Sequence, residues 1–214
     1  MTDLPHVDAA ALPGMLDPAT SALVVVDIQK DWAAPDGLLG RHGVDLSVAE
    51  AAIDRIEELV PVARSAGAAL AYMRVVTSPE SDSAALKAFY ARKGTPGGEA
   101  ICRVEDGGAD YYRVTPVPGD IEIDKLLYDS FHETDFEQQL RDRGIETLVI
   151  TGLSTDCCVD ATARAAFHRN FNVFVVSDAC AAYEPGLHAG TLNVLSKHCA
   201  LLITSEALAS AWSA

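Results

Sequence analysis

Residues 146–178, ETLVITGLSTDCCVDATARAAFHRNFNVFVVSD, restrict the fold more than any other stretch of the chain. Leu148, Val149 and Ile150 form a short apolar run that ends at Gly152 and a polar turn. Cys157 and Cys158 then open an alanine-rich segment with helical spacing, and a second apolar run covers Val173 to Val176. Strand, tight turn, helix and strand make a crossover unit of a parallel sheet. Such a unit brings a thiol to a helix N-terminus, where unpaired N–H groups and the helix dipole favour a thiolate. A cysteine nucleophile is the chemistry this predicts. Helix-start reasoning does not choose between the two neighbouring thiols.

The flanking sequence reads as support for that unit. Residues 1–21 are rich in Ala, Pro, Asp and Thr without a sustained period. They are expected to form a lead-in lying on the surface or against a neighbouring subunit. Ala22 to Val26 is a continuous apolar, β-branched run, as in a parallel strand covered on both faces. It ends at Asp27, where open α/β sheets bind their ligands. Asp36, Gly37, Gly40 and Gly43 suggest a loop, Leu46 to Arg64 has a helical apolar stripe, and Ala68 to Val76 reads as a second strand. Residues 77–119 are glycine-rich, with a short helix expected at Ser83 to Tyr90. A region of that length is uncommon unless functional, so it is the expected source of lid and substrate-selecting residues. Ile121 and Ile123 alternate with polar residues just before Lys125. A helix from Phe136 to Arg143 is expected to begin at Thr134 or Asp135 and to stop at Gly144. After Asp178, a helix over Leu187 to Lys197, a strand over Ala200 to Ile203 and a helix over Ser205 to Trp212 complete the pattern. About six strands alternating with helices predict a single α/β domain over residues 1–214. Its expected form is a three-layer α/β/α sandwich around a mostly parallel sheet.

Charge narrows the partners. Sixteen Lys and Arg against 31 Asp and Glu give a net charge of −15, which disfavours nucleic acid and anionic membrane surfaces. Five scattered cysteines do not make a disulfide framework. The N-terminal residues lack the pattern of a signal peptide, and no apolar run approaches the length of a membrane span. A cytoplasmic location with reduced thiols is the expectation.

Three segments resemble the isochorismatase-like cysteine hydrolases, which include nicotinamidases, N-carbamoylsarcosine amidohydrolases, biuret hydrolases and ureidoacrylate hydrolases. They are LVVVDIQKDW around Asp27, PGDIEIDKLLYDSFHETDFEQQL around Lys125, and TGLSTDCCVDATARAAF around the cysteines. Their order and spacing follow the family's, and the resemblance runs from about Ser21 to Ile203. It implies that Cys158, directly before Val159, is the nucleophile, with Asp27 as the proton-transferring acid and Lys125 as the third catalytic residue. It further implies a cis Leu153–Ser154 bond and an oxyanion hole built from the N–H groups of Ser154 and Cys158. A homodimer or homotetramer is the implied assembly, and no cofactor is expected.

The departures from subfamilies sharpen the reading. Nicotinamidases of this family carry an Asp-x-His pair that helps hold a metal, whereas QKDWAAPDGLLGRHGVD follows Ile28 here and the histidines are dispersed. No catalytic metal is expected, and a metal-free nicotinamidase-like amidase is retained only as an alternative. Cys158 argues against the vinyl-ether hydrolysis of isochorismatases proper, which lack that nucleophile. The segment from Asp160 to Arg164 resembles the helix start of the ureidoacrylate and biuret enzymes. The expected substrate is therefore a small amide, carbamoyl or ureido compound. Gln29, Trp32, Arg74, Tyr128 and Phe131 are candidate substrate contacts, Arg74 for its carboxylate-matching fork. A non-catalytic scaffold protein, the other alternative, should lose a member of the triad, and none is lost. A thiol redox protein would call for the C-x-x-C spacing that Cys157–Cys158 lacks.

Overall fold

In the computed structural model, residues 4–213 are described. The residues ahead of Leu4 in the lead-in lie outside them. Six strands form one sheet: β1 (Ser21–Val26), β2 (Ala69–Val75), β3 (Ile121–Lys125), β4 (Thr147–Leu153), β5 (Asn172–Ala181) and β6 (Leu201–Ile203). Their order is β3-β2-β1-β4-β5-β6, and all five pairings are parallel. The order reverses direction between β1 and β4, the switch point where open α/β sheets hold their ligands beyond the strands' carboxyl ends.

Eight α-helices accompany the sheet among the described residues: α1 (Lys30–Ala33), α2 (Leu38–Arg41), α3 (Ser47–Ala66), α4 (Ala84–Lys93), α5 (Phe136–Asp142), α6 (Asp160–His168), α7 (Pro185–His198) and α8 (Ser205–Trp212). Every residue of β1 is buried, so its side chains feed two separate cores. Ala22, Val24 and Val26 pack with Phe136 and Leu140 of α5, Ala163 and Ala166 of α6, and Leu192 and Leu195 of α7. Leu23 and Val25 face Ile53, Ile56 and Leu59 of α3, together with Leu208 and Trp212 of α8. Two helical layers with the sheet between them are the three-layer sandwich that the alternating pattern predicts.

Several local features follow from single residues. Gly67 and Gly144 adopt left-handed φ values of 82° and 68° and end α3 and α5. Thr204 caps α8 by accepting from the Ala207 N–H, and Asp178 accepts from the Ser205 N–H and Oγ. At the N-terminal side most residues of the lead-in are exposed, as a surface segment should be. The lead-in packs on its own chain, with Leu12 and Leu16 fully buried and Trp212 Nε1 donating to the Leu16 carbonyl at 3.2 Å. Trp212 is thereby occupied within the subunit. No helix among the described residues is long and apolar enough to cross a membrane.

Candidate active site

Asp27, Lys125 and Cys158 arrive from the carboxyl ends of β1, β3 and β4. The chain leaves β1 through Asp27, whose φ of 53° is left-handed, a conformation that Asp tolerates better than most residues. Beside it, β4 needs glycine at position 152. Its φ is 113°, and a Cβ there would lie 2.1 Å from the Val26 carbonyl oxygen. Close passage of β4 past the end of β1 sets the turn that carries the cysteines next to Asp27.

That turn is not the start of a regular α-helix. Thr155 to Val159 form a π-helical turn that runs on into α6. Its geometry is held by Ser154 Oγ donating to Asp156 Oδ1 at 2.6 Å and by the fully buried Thr155, whose Oγ1 lies 2.8 Å from His188 Nδ1 of α7. The Leu153–Ser154 peptide bond is cis, and the Ser154 N–H has no backbone acceptor among the described residues.

The carboxyl and ammonium groups form a buried pair. Lys125 Nζ donates to Asp27 Oδ2 at 2.8 Å and to the Leu127 carbonyl at 3.0 Å, with side-chain exposures of 0% and 2% for Lys125 and Asp27. Asp27 Oδ1 has no hydrogen-bond partner among the described residues. Burial raises the Asp27 pKa above its ordinary value, while Lys125 and the nearby Cys158 thiol partly oppose the rise. Burial on its own would lower the Lys125 pKa, but Asp27 and Cys158 outweigh it and the ammonium is held more firmly than usual. Removing either partner would strand a buried charge or hydrogen-bonding group.

Of the two thiols, Cys158 departs from the helix-dipole expectation. Hydrogen bonding with Cys157, burial and the Asp27 carboxyl together push the Cys158 thiol well above its ordinary value, and Cys157 is shifted downward by the same bond. The bond with Cys157, desolvation and a neighbouring acid win over the dipole of an irregular helix start. Cys158 is thus a buried thiol, its pKa raised, beside the Asp27 carboxyl.

Asp27, Cys157, Cys158 and Ser154 open onto a cavity of about 300 Å³. Two expected substrate contacts, Trp32 and Tyr128, line it. Three others do not. Both amide hydrogens of Gln29 go to the Val75 and Ala109 carbonyls at 2.7 and 3.0 Å, and its Oε1 accepts from the Val75 N–H. Gln29 therefore ties β1 to β2 and to the 77–119 region, with no donor left for a substrate. Arg74 pairs bidentately with Asp124 on the neighbouring strand and lies over the Tyr111 ring, 5.2 Å from its centroid. Its fork is already satisfied, away from the cavity. Arg74→Ala is expected to change kcat/KM by less than about twofold, a partly exposed pair contributing little, as steady-state kinetics would show. Phe131 is 5% exposed and packs its ring 4.8 Å from Phe136 and 6.0 Å from Phe171, in the core beneath α5.

The cavity also contains residues that patterning does not single out. Leu86 and Tyr90 of α4, Glu99, and Tyr183 after β5 all line it. The short helix expected in residues 77–119 exists as α4 and contributes to the cavity wall. Tyr183 reaches across to donate to the Trp32 carbonyl at 2.7 Å. Among the described residues, no three His, Cys, Asp or Glu side chains gather in a way that could hold a metal ion.

Comparison with known proteins gives this geometry a context. Residues 21–207 match the family model described as the isochorismatase domain. The chain is 36% identical over 201 residues to ureidoacrylate amidohydrolase RutB of Methylobacterium radiotolerans, a match covering 84% of this chain and 74% of that protein. It is 37% identical over 174 residues to RutB of Azorhizobium caulinodans, covering 74% and 75%. Among solved structures, a cysteine hydrolase from Pseudomonas syringae pv. phaseolicola superposes with a TM-score of 0.79 at 24% identity, covering 100% of this chain and 99% of that one. The N-carbamoylsarcosine amidase of Thermoplasma acidophilum gives a TM-score of 0.69 at 25% identity, covering 87% and 97%.

Proposed function

This chain belongs to the isochorismatase-like cysteine hydrolase family, and from that premise we propose that Cys158 attacks the carbonyl carbon of a small amide, carbamoyl or ureido substrate. The observation that carries this reading is the buried Asp27–Lys125 pair at 2.8 Å, whose Asp27 stands beside the Cys158 thiol on the wall of one cavity. The relatives' names, ureidoacrylate amidohydrolase and N-carbamoylsarcosine amidase, favour a ureido or carbamoyl compound.

Asp27 takes the thiol proton as sulfur bonds to carbon, and Lys125 keeps the carboxylate available by its opposite charge. The carbonyl oxygen becomes an oxyanion, which the N–H groups of Ser154 and Cys158 stabilise. Loss of one such donor in a comparable site costs about 2.7–4 kcal/mol. The C–N bond then breaks, and Asp27 returns its proton to the leaving ammonia or amine. A thioester, or a thiocarbamate from a ureido substrate, remains on Cys158. Water attacks it while giving a proton to Asp27, the C–S bond breaks, and the thiol is restored with that proton.

The test is ammonia release from a panel of small amides and ureas at several pH values. Turnover of a ureido or carbamoyl compound is expected, and a panel wholly inert with folded protein would refute the reading. Because burial raises Asp27, activity should fall on the acid side at a pH above the ordinary carboxylate range. An acid limb lying below that range would contradict a burial-raised Asp27 carboxyl.

A further inference from the structure

The cavity beside Cys158 is unusual in its charges. Its lining includes two carboxyl groups, those of Asp27 and Glu99, and no Lys, Arg or His side chain among the described residues. Leu39, Leu86, Ile101, Leu126 and Leu127 make much of the remaining wall apolar. Its volume of about 300 Å³ is at the lower end for ligand pockets, so the occupant is compact.

Glu99 is partly buried as a residue, but its Oε2 is shielded from solvent and has no hydrogen-bond partner among the described residues. The basic group whose charge it influences, Arg103, is held bidentately by Asp82 at 2.6 and 2.8 Å. Lys125 is held by Asp27 and the Leu127 carbonyl. Leaving a buried acceptor without a donor costs about 1–3 kcal/mol, more for a charged one, unless a ligand brings the donor. Trp32 Nε1 is a second unpartnered group on this wall, with the weak acceptor Cys102 near it. Local sequence explains how Glu99 comes to be there. A Cβ on Gly98 would lie 2.5 Å from the Tyr90 ring, so glycine lets the loop after α4 lie flat against Tyr90 and present the next residue to the cavity.

We propose that Glu99 determines specificity by accepting a hydrogen bond from an N–H group of the substrate, and that the substrate carries no carboxylate. This deepens the amidohydrolase reading and relies on it for the reaction. A carboxylate in this space would face Glu99 with no free cation to pair with, since Lys125 is already engaged by Asp27. An amide or ammonium N–H supplies the missing donor and, if cationic, a charge-assisted bond. Selection at this wall would set the chain apart from its relatives named for ureidoacrylate, whose substrate bears a carboxylate by its name.

The experiment is calorimetric binding to the full chain carrying Cys158→Ser, which holds ligand without the thiol chemistry. The probes are 3-ureidopropionate, its neutral counterpart 3-ureidopropionamide, and N-(3-aminopropyl)urea. The amide and the amine are expected to bind about tenfold or more tightly than the acid, the size of effect one unpaired buried group produces. Adding Glu99→Gln should shrink that ratio, and adding Glu99→Lys should invert it. Acid binding as tight as that of the other two, a ratio unmoved by Glu99→Gln, or no binding by any probe would overturn the proposal. Melting temperatures of the variants identify any that fail to fold. The expected order of binding without ammonia release by the wild type would count against amide hydrolysis while upholding the selectivity.

Discussion

Cys158→Ala is expected to lower kcat/KM for ammonia release by about 10,000-fold or more, the scale on which loss of a covalent nucleophile is felt, whereas Cys157→Ala should keep most of the activity. The two thiols are adjacent in sequence but differ in surroundings. Cys158 is 6% exposed and electrostatically coupled to both Asp27 and Lys125, while Cys157 is only partly buried. The methyl side chain of alanine is smaller than the thiol, so the fold should persist in either variant, and the melting curve serves as the control. Comparable losses from both substitutions would mean that the two sulfurs act as a unit. A loss confined to Cys157→Ala would transfer the nucleophile to the neighbouring position.

A second large effect is expected from Asp27→Asn, on stability as well as on rate. Asparagine cannot accept the thiol proton, and loss of a general base typically costs about 100- to 10,000-fold. It also leaves the Lys125 ammonium, 0% exposed, without a counter-charge, held only by neutral acceptors such as the Leu127 carbonyl. Breaking a buried pair from one side costs about 3–5 kcal/mol, while replacing both members with neutral groups of similar volume is often close to neutral. The double variant Asp27→Asn with Lys125→Met should therefore recover much of the stability seen in urea denaturation and remain inactive. If the double variant were no more stable than Asp27→Asn, the pair would not be the source of the loss.

How much of this was legible in the chain varies with the kind of information. Ala22 to Val26 and Leu148 to Ile150 read as strands because a parallel sheet covered on both faces demands unbroken apolar, β-branched runs. The extension of β5 to Ala181 was not legible. A register shift between Ile150 and Gly152 in its neighbour lets pairing resume at Cys180, beyond the polar Ser177 and Asp178 that look like a strand end. Asp27, Lys125 and Cys158 could be selected through the family resemblance and sit where β1, β3 and β4 end. The titration state of Cys158 could not be read the same way, since it depends on burial and on Asp27, more than 100 residues away in the chain. Gln29, Arg74 and Phe131 have suitable chemistry for a substrate, but each is already satisfied by partners from other strands and helices. Glu99 was hidden for the opposite reason. Its role depends on a partner that it lacks, and only the assembled cavity reveals that.

The central claim, a covalent intermediate on Cys158, is tested most directly by quenching the enzyme during turnover of a ureido or amide substrate and mapping the adduct by peptide mass spectrometry. An acyl or carbamoyl mass on Cys158, absent in Cys158→Ala and formed at the same site in Cys157→Ala, is the expected result. Turnover with an adduct on Cys157 alone, or undiminished turnover by Cys158→Ala, would contradict it.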